Sequence, residues 1–454
     1  MLTLSQILAT AIFAVMFIAI ISGKIHRCIP ALIGAFLVVV VVFLLVMKSP
    51  QAVVDVLNLG QIGDFRFWIP GTQMHEESQG VNWQTIIFIA GMMVMVEGLG
   101  SVGFFRWLCL YVARMVNYRV VPILVTFMLL SGFLSMFIDS ITVLLFLSTV
   151  TIELARLLKF DPVPVIIAEI FAANTGGSAT MCGDPPNIII GTAFGYTFTD
   201  FVVNTGLIAW IGIIVTIVFF YFAFRKVLTS GPNGAGEPLK QYPEPGEAIT
   251  NPLLFKIESV IFILVVALLV THAQTGLSVA IIGVIAAVLT LLASGRRFGH
   301  VVKGVDWRTL LFFVGLFICV GGLEETGVLE MVAKYIGEMS GGSLVLVIPI
   351  ILWFSAFASA IVDNIPFAAT MVPVIKDLSL VQGINLPPLA WALALGTDIG
   401  GNATPIGASA NVVGTAIAER EGYPIGWGRF MKYAAPAMIV VIALCHVYLI
   451  MRYV

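Results

Sequence analysis

Apolar runs close to the roughly 20 residues needed to cross a bilayer's hydrocarbon core recur along the chain. They fall at about 7–22, 30–47, 83–99, 203–224, 256–271, 276–293, 308–323 and 433–451. Four further apolar stretches, 120–158, 163–195, 343–378 and 387–418, are interrupted near their middles by Asp, Asn, Gly or Pro. This pattern predicts an all-α polytopic membrane protein. Two polar segments break it. Residues 48–82 carry Asp55, Asp64, Arg66, His75, Glu76 and Glu77, and residues 227–255 are rich in Gly, Pro and Glu. The second has a linker composition and separates a first unit, 1–226, from a second, 256–454.

The two units repeat. Residues 81–191 slide onto 305–415 at a constant offset of 224, and the matches go beyond common aliphatic residues. They include Trp83/Trp307, Thr85/Thr309, Gly91/Gly315, Gly103/Gly327, Ser131/Ser355, Asp139/Asp363, Gly176/Gly400, Gly177/Gly401, Thr180/Thr404, Gly183/Gly407 and Asn187/Asn411. Internal duplication of this kind is a signature of secondary transporters. Charge predicts that the copies are inverted. Short cytoplasmic loops are enriched in Lys and Arg, which puts Lys24, Arg27, Arg106, Arg114, Arg119, Arg225, Lys226, Arg296 and Arg297 inside. The second-half counterpart of the basic 103–119 segment carries Glu324, Glu325, Glu330 and Glu338 against one Lys334, so the two lie on opposite faces.

In this scheme 120–158 is a re-entrant hairpin entering from the cytoplasm with Asp139 at its tip. Residues 343–378 form its copy, entering from outside with Asp363 at the tip. Pro366 there biases Asn364 and Ile365 away from helix. Residues 163–195 and 387–418 are spans broken at their middles. The expectation is ten crossings plus two hairpins, with both termini extracytoplasmic, in a cell (inner) membrane. The 59% hydrophobic and 11% charged composition agrees, since 48 charged side chains cannot clothe 454 residues for water. A net charge of −2 offers no basic field for nucleic acid. The five cysteines stand singly, without metal-ligand spacing.

Non-helical backbone at membrane depth persists only inside protein or around a watery cavity. The breaks at Gly176-Gly177 and Gly400-Gly401 therefore mark the candidate site. With the hairpin tips they gather Asp139, Ser140, Thr142, Asn174, Thr175, Asp184, Asn187, Asp363, Asn364, Asp398, Asn402, Thr404, Ser409 and Asn411. Nearly all are oxygen donors, which suit hard cations. A buried carboxylate is expensive unless paired or functional. No Lys or Arg lies near these aspartates in sequence, so bound cations or protons are the expected counter-charges. Asp139 with Asn187, and Asp363 with Asn411, are the Na⁺ candidates. An aspartate at a tight turn is also a common cap; duplication beside Gly-Gly breaks favours function. Glu169, matched by Leu393, is a proton carrier or a structural acceptor. No cofactor is expected beyond a bound Na⁺.

The segments Phe133-Leu-Ser-Met-Phe-Ile-Asp-Ser-Ile-Thr and Asn174-Thr-Gly-Gly-Ser-Ala-Thr-Met-Cys-Gly-Asp-Pro-Pro-Asn187 resemble first-half motifs of the P-protein (P permease) branch of the ion transporter superfamily. Ser359-Ala-Ile-Val-Asp-Asn-Ile-Pro and Gly400-Gly-Asn-Ala-Thr-Pro-Ile-Gly-Ala-Ser-Ala-Asn411 resemble its second-half motifs. That superfamily includes arsenite permeases, Na⁺/H⁺ antiporters and sodium–dicarboxylate and citrate carriers. The resemblance implies a homodimer in lipid and elevator-like movement of a domain holding the hairpins and broken helices. It implies transport of an inorganic ion or small solute coupled to Na⁺ or H⁺. Arsenite/H⁺ antiport, an anion channel and a dicarboxylate-type symporter are the alternatives. Acidic tips disfavour a dicarboxylate. Neither an enzyme motif nor an ATPase module occurs in the chain, and a separate ATPase subunit is not indicated.

Overall fold

The computed structural model describes residues 2–22, 25–69, 80–229 and 242–454. Lys24, His75, Glu76, Glu77 and residues 230–241 of the linker lie outside the described residues.

The protein is a polytopic all-α membrane protein, with eleven helices long and apolar enough to cross a membrane among the described residues. The principal helices are α1 (Leu4–Ile21), α2 (Cys28–Val46, its last nine residues π-helical), α3 (Trp83–Ser101), α4 (Phe104–Met115), α5 (Val120–Leu134), α6 (Ser140–Leu158), α7 (Val163–Gly177), α8 (Pro185–Phe194) and α9 (Phe198–Leu228). The series then repeats as α10 (Pro252–Thr275), α11 (Val279–Ser294), α12 (Trp307–Glu325), α13 (Val328–Ser340), α14 (Leu344–Ile361), α15 (Asn364–Gln382), α16 (Leu386–Gly400), α17 (Ser409–Arg420) and α18 (Trp427–Tyr453). Each helix of the first series has its counterpart nine places later. Short helical turns at Pro50–Leu57 and Phe65–Trp68 occupy part of the polar 48–82 segment.

Local chemistry places the helix ends at matching points. Asn82 and Asp306 cap α3 and α12, their side-chain oxygens accepting the Thr85 and Thr309 amides at 3.0 and 3.2 Å. Gly103 and Gly327 turn the chain into α4 and α13 at φ 83° and 75°, a left-handed conformation that costs glycine little. Pro185-Pro186 opens α8, where missing amides forfeit no intrahelical bond. Pro366 acts in the same way, and here the sequence expectation fails. Asn364 and Ile365 are helical, and Pro366 sits third in α15, where an N–H would have no intrahelical partner.

The halves interlock instead of folding side by side. Helix α3 packs on α11 and α12 on α2, while α8 packs on α15 and α17 on α6. The contacts of α3 and α12 are so close that a Cβ on Gly91 would lie 2.0 Å from the Gly283 carbonyl oxygen, and one on its counterpart Gly315 2.7 Å from Ala31 backbone. The equivalent helices α9 and α18 run in opposite directions. The Phe224 ring of α9 meets the Tyr433 ring of α18 at a tilt, centroids 4.6 Å apart, and at the far ends of the same helices Tyr453 donates to Asn204 at 2.7 Å. One group of helices, α1–α3 with α10–α12, thus flanks a second made of the paired helices α5–α9 and α14–α18.

Gly91→Ala should therefore lower the thermal midpoint of the purified protein by several degrees, because backbone cannot yield to the added methyl; overpacking costs about 1–3 kcal/mol. Gly428→Ala, where a Cβ meets nothing within 4 Å, should leave it unchanged in the same melting experiment.

Candidate functional site

Four helices begin at the centre of the second group. Asp139 caps α6, accepting the Thr142 amide at 2.9 Å and the Thr142 hydroxyl at 2.7 Å. Asp363 caps α15 through the Ile365 amide at 3.1 Å. Asp184 precedes α8 and joins the two tips. One of its oxygens accepts the Ser140 hydroxyl at 2.8 Å, and the other accepts the Asn364 amide at 2.6 Å. Residues 224 positions apart thus meet on one buried carboxylate.

The loops that break α7 from α8 and α16 from α17 are held by matched bonds. The Asn187 amide donates to the carbonyls of Gly177 and Thr180 at 3.0 and 3.1 Å, and that of Asn411 donates to Gly401 and Thr404 at 2.7 Å each. The Thr180 and Thr404 hydroxyls reach back to Met136 and Ala360 on the hairpins, both at 2.5 Å. The four glycines permit close approach. A Cβ on Gly176 would lie 2.2 Å from the Gly132 carbonyl oxygen, and one on Gly400 2.3 Å from the Ala356 Cα. Gly177 and Gly401 pack against the Gly183 and Gly407 carbonyls. Thr175 turns inward to the Phe171 carbonyl at 2.8 Å and so staples its own helix.

Between the broken helices lies an amide cluster. Asn174 donates to Asn402 at 3.0 Å and to Asn411 at 2.8 Å. Asp398, fully buried, lies against the Asn187 carboxamide and the Asp184 carboxyl. Glu169 is equally buried and stands apart from the tips. It accepts the Thr151 hydroxyl through one oxygen and leaves the other unpartnered.

One expectation is corrected here. The tip aspartates were to lack protein counter-charges, but Arg27, 336 residues from Asp363 in sequence, donates to its Oδ2 at 3.0 Å. The same guanidinium donates to Ser409 at 2.5 Å and Thr309 at 3.1 Å, and lies 4.9 Å from the Phe312 ring centroid. Asp363 and Asn411 both have protein partners. Asp363 Oδ2 also accepts Ser409 at 2.6 Å, and the Asn411 side-chain oxygen accepts Asn174. Among the described residues no lysine or arginine pairs with Asp139, Asp184 or Asp398, and no group of three or more His, Cys, Asp or Glu could hold a metal.

Arg27 was read from sequence only as a topological charge. Its position just before an apolar run was the available signal, but which aspartate it meets depends on tertiary packing. Asn82 and Thr85 were also missed. Both reach the Thr192 hydroxyl, at 2.7 and 3.0 Å, joining α3 to α8.

The citrate transporter family pattern matches residues 17–396. An uncharacterized transporter of Mycobacterium tuberculosis is 33% identical over 450 residues, covering 99% of both chains. The 46 kDa membrane protein of Mycobacterium leprae is 30% identical over 99% of both. The human P protein is 27% identical over 98% of this chain, which spans 60% of that longer protein. Among solved structures, the YdaH transporter of Alcanivorax borkumensis superposes with a TM-score of 0.57 at 14% identity, covering 89% of each chain. MtrF of Neisseria gonorrhoeae, described as one of a class of antimetabolite efflux pumps, gives 0.51 at 13% identity over 99% of this chain and 95% of its own.

The Arg27–Asp363 pair is partly buried, so removing one partner should cost more than removing both. Arg27→Met is expected to lower the melting midpoint further than the double variant Arg27→Met/Asp363→Asn, with a coupling of about 1–3 kcal/mol. Additive effects in the double-mutant cycle would show that the pair does not act as a unit.

Proposed function

Since the chain belongs to the citrate transporter family, we propose that it is a secondary active transporter moving an inorganic ion or small solute, coupled to Na⁺ or H⁺, by elevator-type alternating access. The observation that carries the reading is a difference in register between the halves. Thr85 of α3 meets α8 at Thr192, near that helix's end. Its counterpart Thr309 of α12 meets α17 through Arg27 at Ser409, the first residue of that helix. Ser409 corresponds to Pro185, seven residues before Thr192, which is about 10 Å of helix. In a protein of inverted repeats, exchanging the two registers generates the opposite-facing state. The second helix group would then slide by that distance along the first, carrying the tips with it.

The proposed orientation has support from ion pairs. Arg106–Glu153 and Arg156–Glu421, each at 2.7 Å, and Arg429–Asp161 join 106–161 to 421–429 on one face. The linker end joins them there through Tyr118, which donates to the Pro243 carbonyl at 2.6 Å. That face would be cytoplasmic, with both termini on the other, in the cell (inner) membrane as a homodimer. Asp139, Asp184 and the surrounding amides would handle the coupling cation, and Glu169 would stand by as a proton carrier.

A second reading has one specific observation behind it. Arg27 and four helix N-termini converge at the tips, an arrangement that attracts anions. With Asp363 neutralised by Arg27, a carboxylate substrate or an anion channel becomes compatible with the acidic tips. Arsenite/H⁺ antiport requires only a neutral solute at the same place.

Flux in proteoliposomes separates these readings. The carrier reading predicts uptake that saturates with substrate, depends on an imposed Na⁺ or pH gradient, and falls at least tenfold in Asp139→Asn. Flux that neither saturates nor requires a gradient would make the protein a channel, and unchanged flux in Asp139→Asn would remove the tip from the coupling site. Protection of an arsenite-sensitive host would favour the arsenite alternative.

A further inference from the structure

The equivalent helices that start at the tips are not equally covered. Helices α6 and α17 run from the tips to the face where Arg156 meets Glu421, and their counterparts α15 and α8 run the other way. Helix α3 packs on α8 and α12 on α15, whereas the same pairings in the other half, α12 on α17 and α3 on α6, are looser. Burial differs accordingly. Ile188 of α8 is 4% exposed and its counterpart Val412 46%, while Ala369 of α15 is 3% exposed and its counterpart Leu145 45%.

The space beside these helices differs likewise. Against α8 and α15 a cavity of about 40 Å³ remains, where Asn82 of α3 and Phe317 and Val320 of α12 close over Ile189, Ala369 and Pro373. The counterpart of Pro373 is Thr149 of α6, which is exposed and lines a cleft of about 360 Å³ with Glu153, Arg156 and Glu421. The second helix group is therefore displaced along the first, toward the face that carries the linker end.

Arg27 sits where this displacement ends. Its partner Thr309 is the third residue of α12. That end of α12 belongs to the linker face, since Gly304 packs against the Glu97 side chain near the end of α3, and the Thr250 hydroxyl donates to the Ser101 carbonyl at 3.2 Å. From the first helix group Arg27 reaches Asp363 and Ser409 of the second. Sliding by seven helical residues, about 10 Å, would part the two charges and leave each partly buried without its partner, which is costly. The corresponding turn of the other half, Gly276-Leu-Ser-Val279 before α11, carries no basic residue. Among the described residues no lysine or arginine pairs with Asp139. The clasp is one-sided.

We propose that Arg27 is a positioning residue that holds the substrate-free protein open to the linker face, and that the opposite-facing state, which has no such clasp, is the less populated of the two. The inference rests on the sliding reading above and goes beyond it by assigning the resting orientation to one ion pair.

The test is labelling of single cysteines by a membrane-impermeant maleimide, in right-side-out and everted membrane vesicles without substrate, with the native cysteines replaced. With Arg27 intact, Thr149→Cys should label from the linker face and Ala369→Cys should be protected. Removing the clasp shifts the population toward the other state. Arg27→Met should therefore slow labelling of Thr149→Cys and speed that of Ala369→Cys from the opposite face, each by about threefold or more. Arg27→Met/Asp363→Asn, which leaves no unpaired charge, should do the same and decides the matter if the single variant does not fold. A pair that only stabilises the fold would change labelling at both positions in the same direction or at neither. Either result in a folded variant would overturn the clasp, as would faster labelling of Ala369→Cys than of Thr149→Cys with Arg27 intact. Opposite shifts at the two cysteines without gradient-driven flux would instead count against the carrier reading and leave the clasp standing.

Discussion

Backbone that leaves the helix inside a membrane has no water to satisfy it, and that constraint organises this molecule. Two carboxamides carry most of the burden. Asn187 and Asn411 each take two carbonyls of a broken loop, and Thr180 and Thr404 tie those loops to the hairpins. Once the loops are fixed in this way, the starts of α8 and α17 are brought beside the hairpin tips, where Asp184 joins Ser140 to Asn364. The candidate site is thus a consequence of how the breaks are tolerated. It draws on both halves because their helices interlock.

Much of this was legible in the sequence because membrane burial imposes strong patterns. Long apolar runs and the breaks at Gly176-Gly177 and Gly400-Gly401 follow from the cost of exposing polar groups to lipid. The offset of 224 is visible because the same packing problem is solved twice, as Gly176 against Gly132 and Gly400 against Ala356 show. What sequence could not reveal were pairings across the interlock. Arg27 meets Asp363 only because α2 packs on α12 from the other half. Pro366 misled because its effect depends on position, and in the first turn of α15 it costs nothing.

Duplication makes departures from symmetry informative. Among the described residues no lysine or arginine pairs with Asp139 as Arg27 does with Asp363, Asp398 corresponds to the amide Asn174, and the polar link of α3 to α8 is displaced by seven residues from that of α12 to α17 through Arg27. The first two differences break the chemical equivalence of the halves. The third has a mechanical meaning, because a single interlocked chain cannot satisfy both registers in both halves at once. One half is engaged far along its broken helix while the other is engaged at the start, and the polar contacts at Thr192 and Ser409 are available to be exchanged.

The proposed exchange can be tested by cross-linking. In a background with the native cysteines replaced, Thr85→Cys/Thr192→Cys traps the register seen here, and Thr309→Cys/Ala416→Cys traps the exchanged one. The account predicts that both pairs form disulfides in membranes, that each stops turnover, and that reduction restores it. Ready cross-linking of the first pair with none of the second under any imposed gradient would contradict a sliding transport unit.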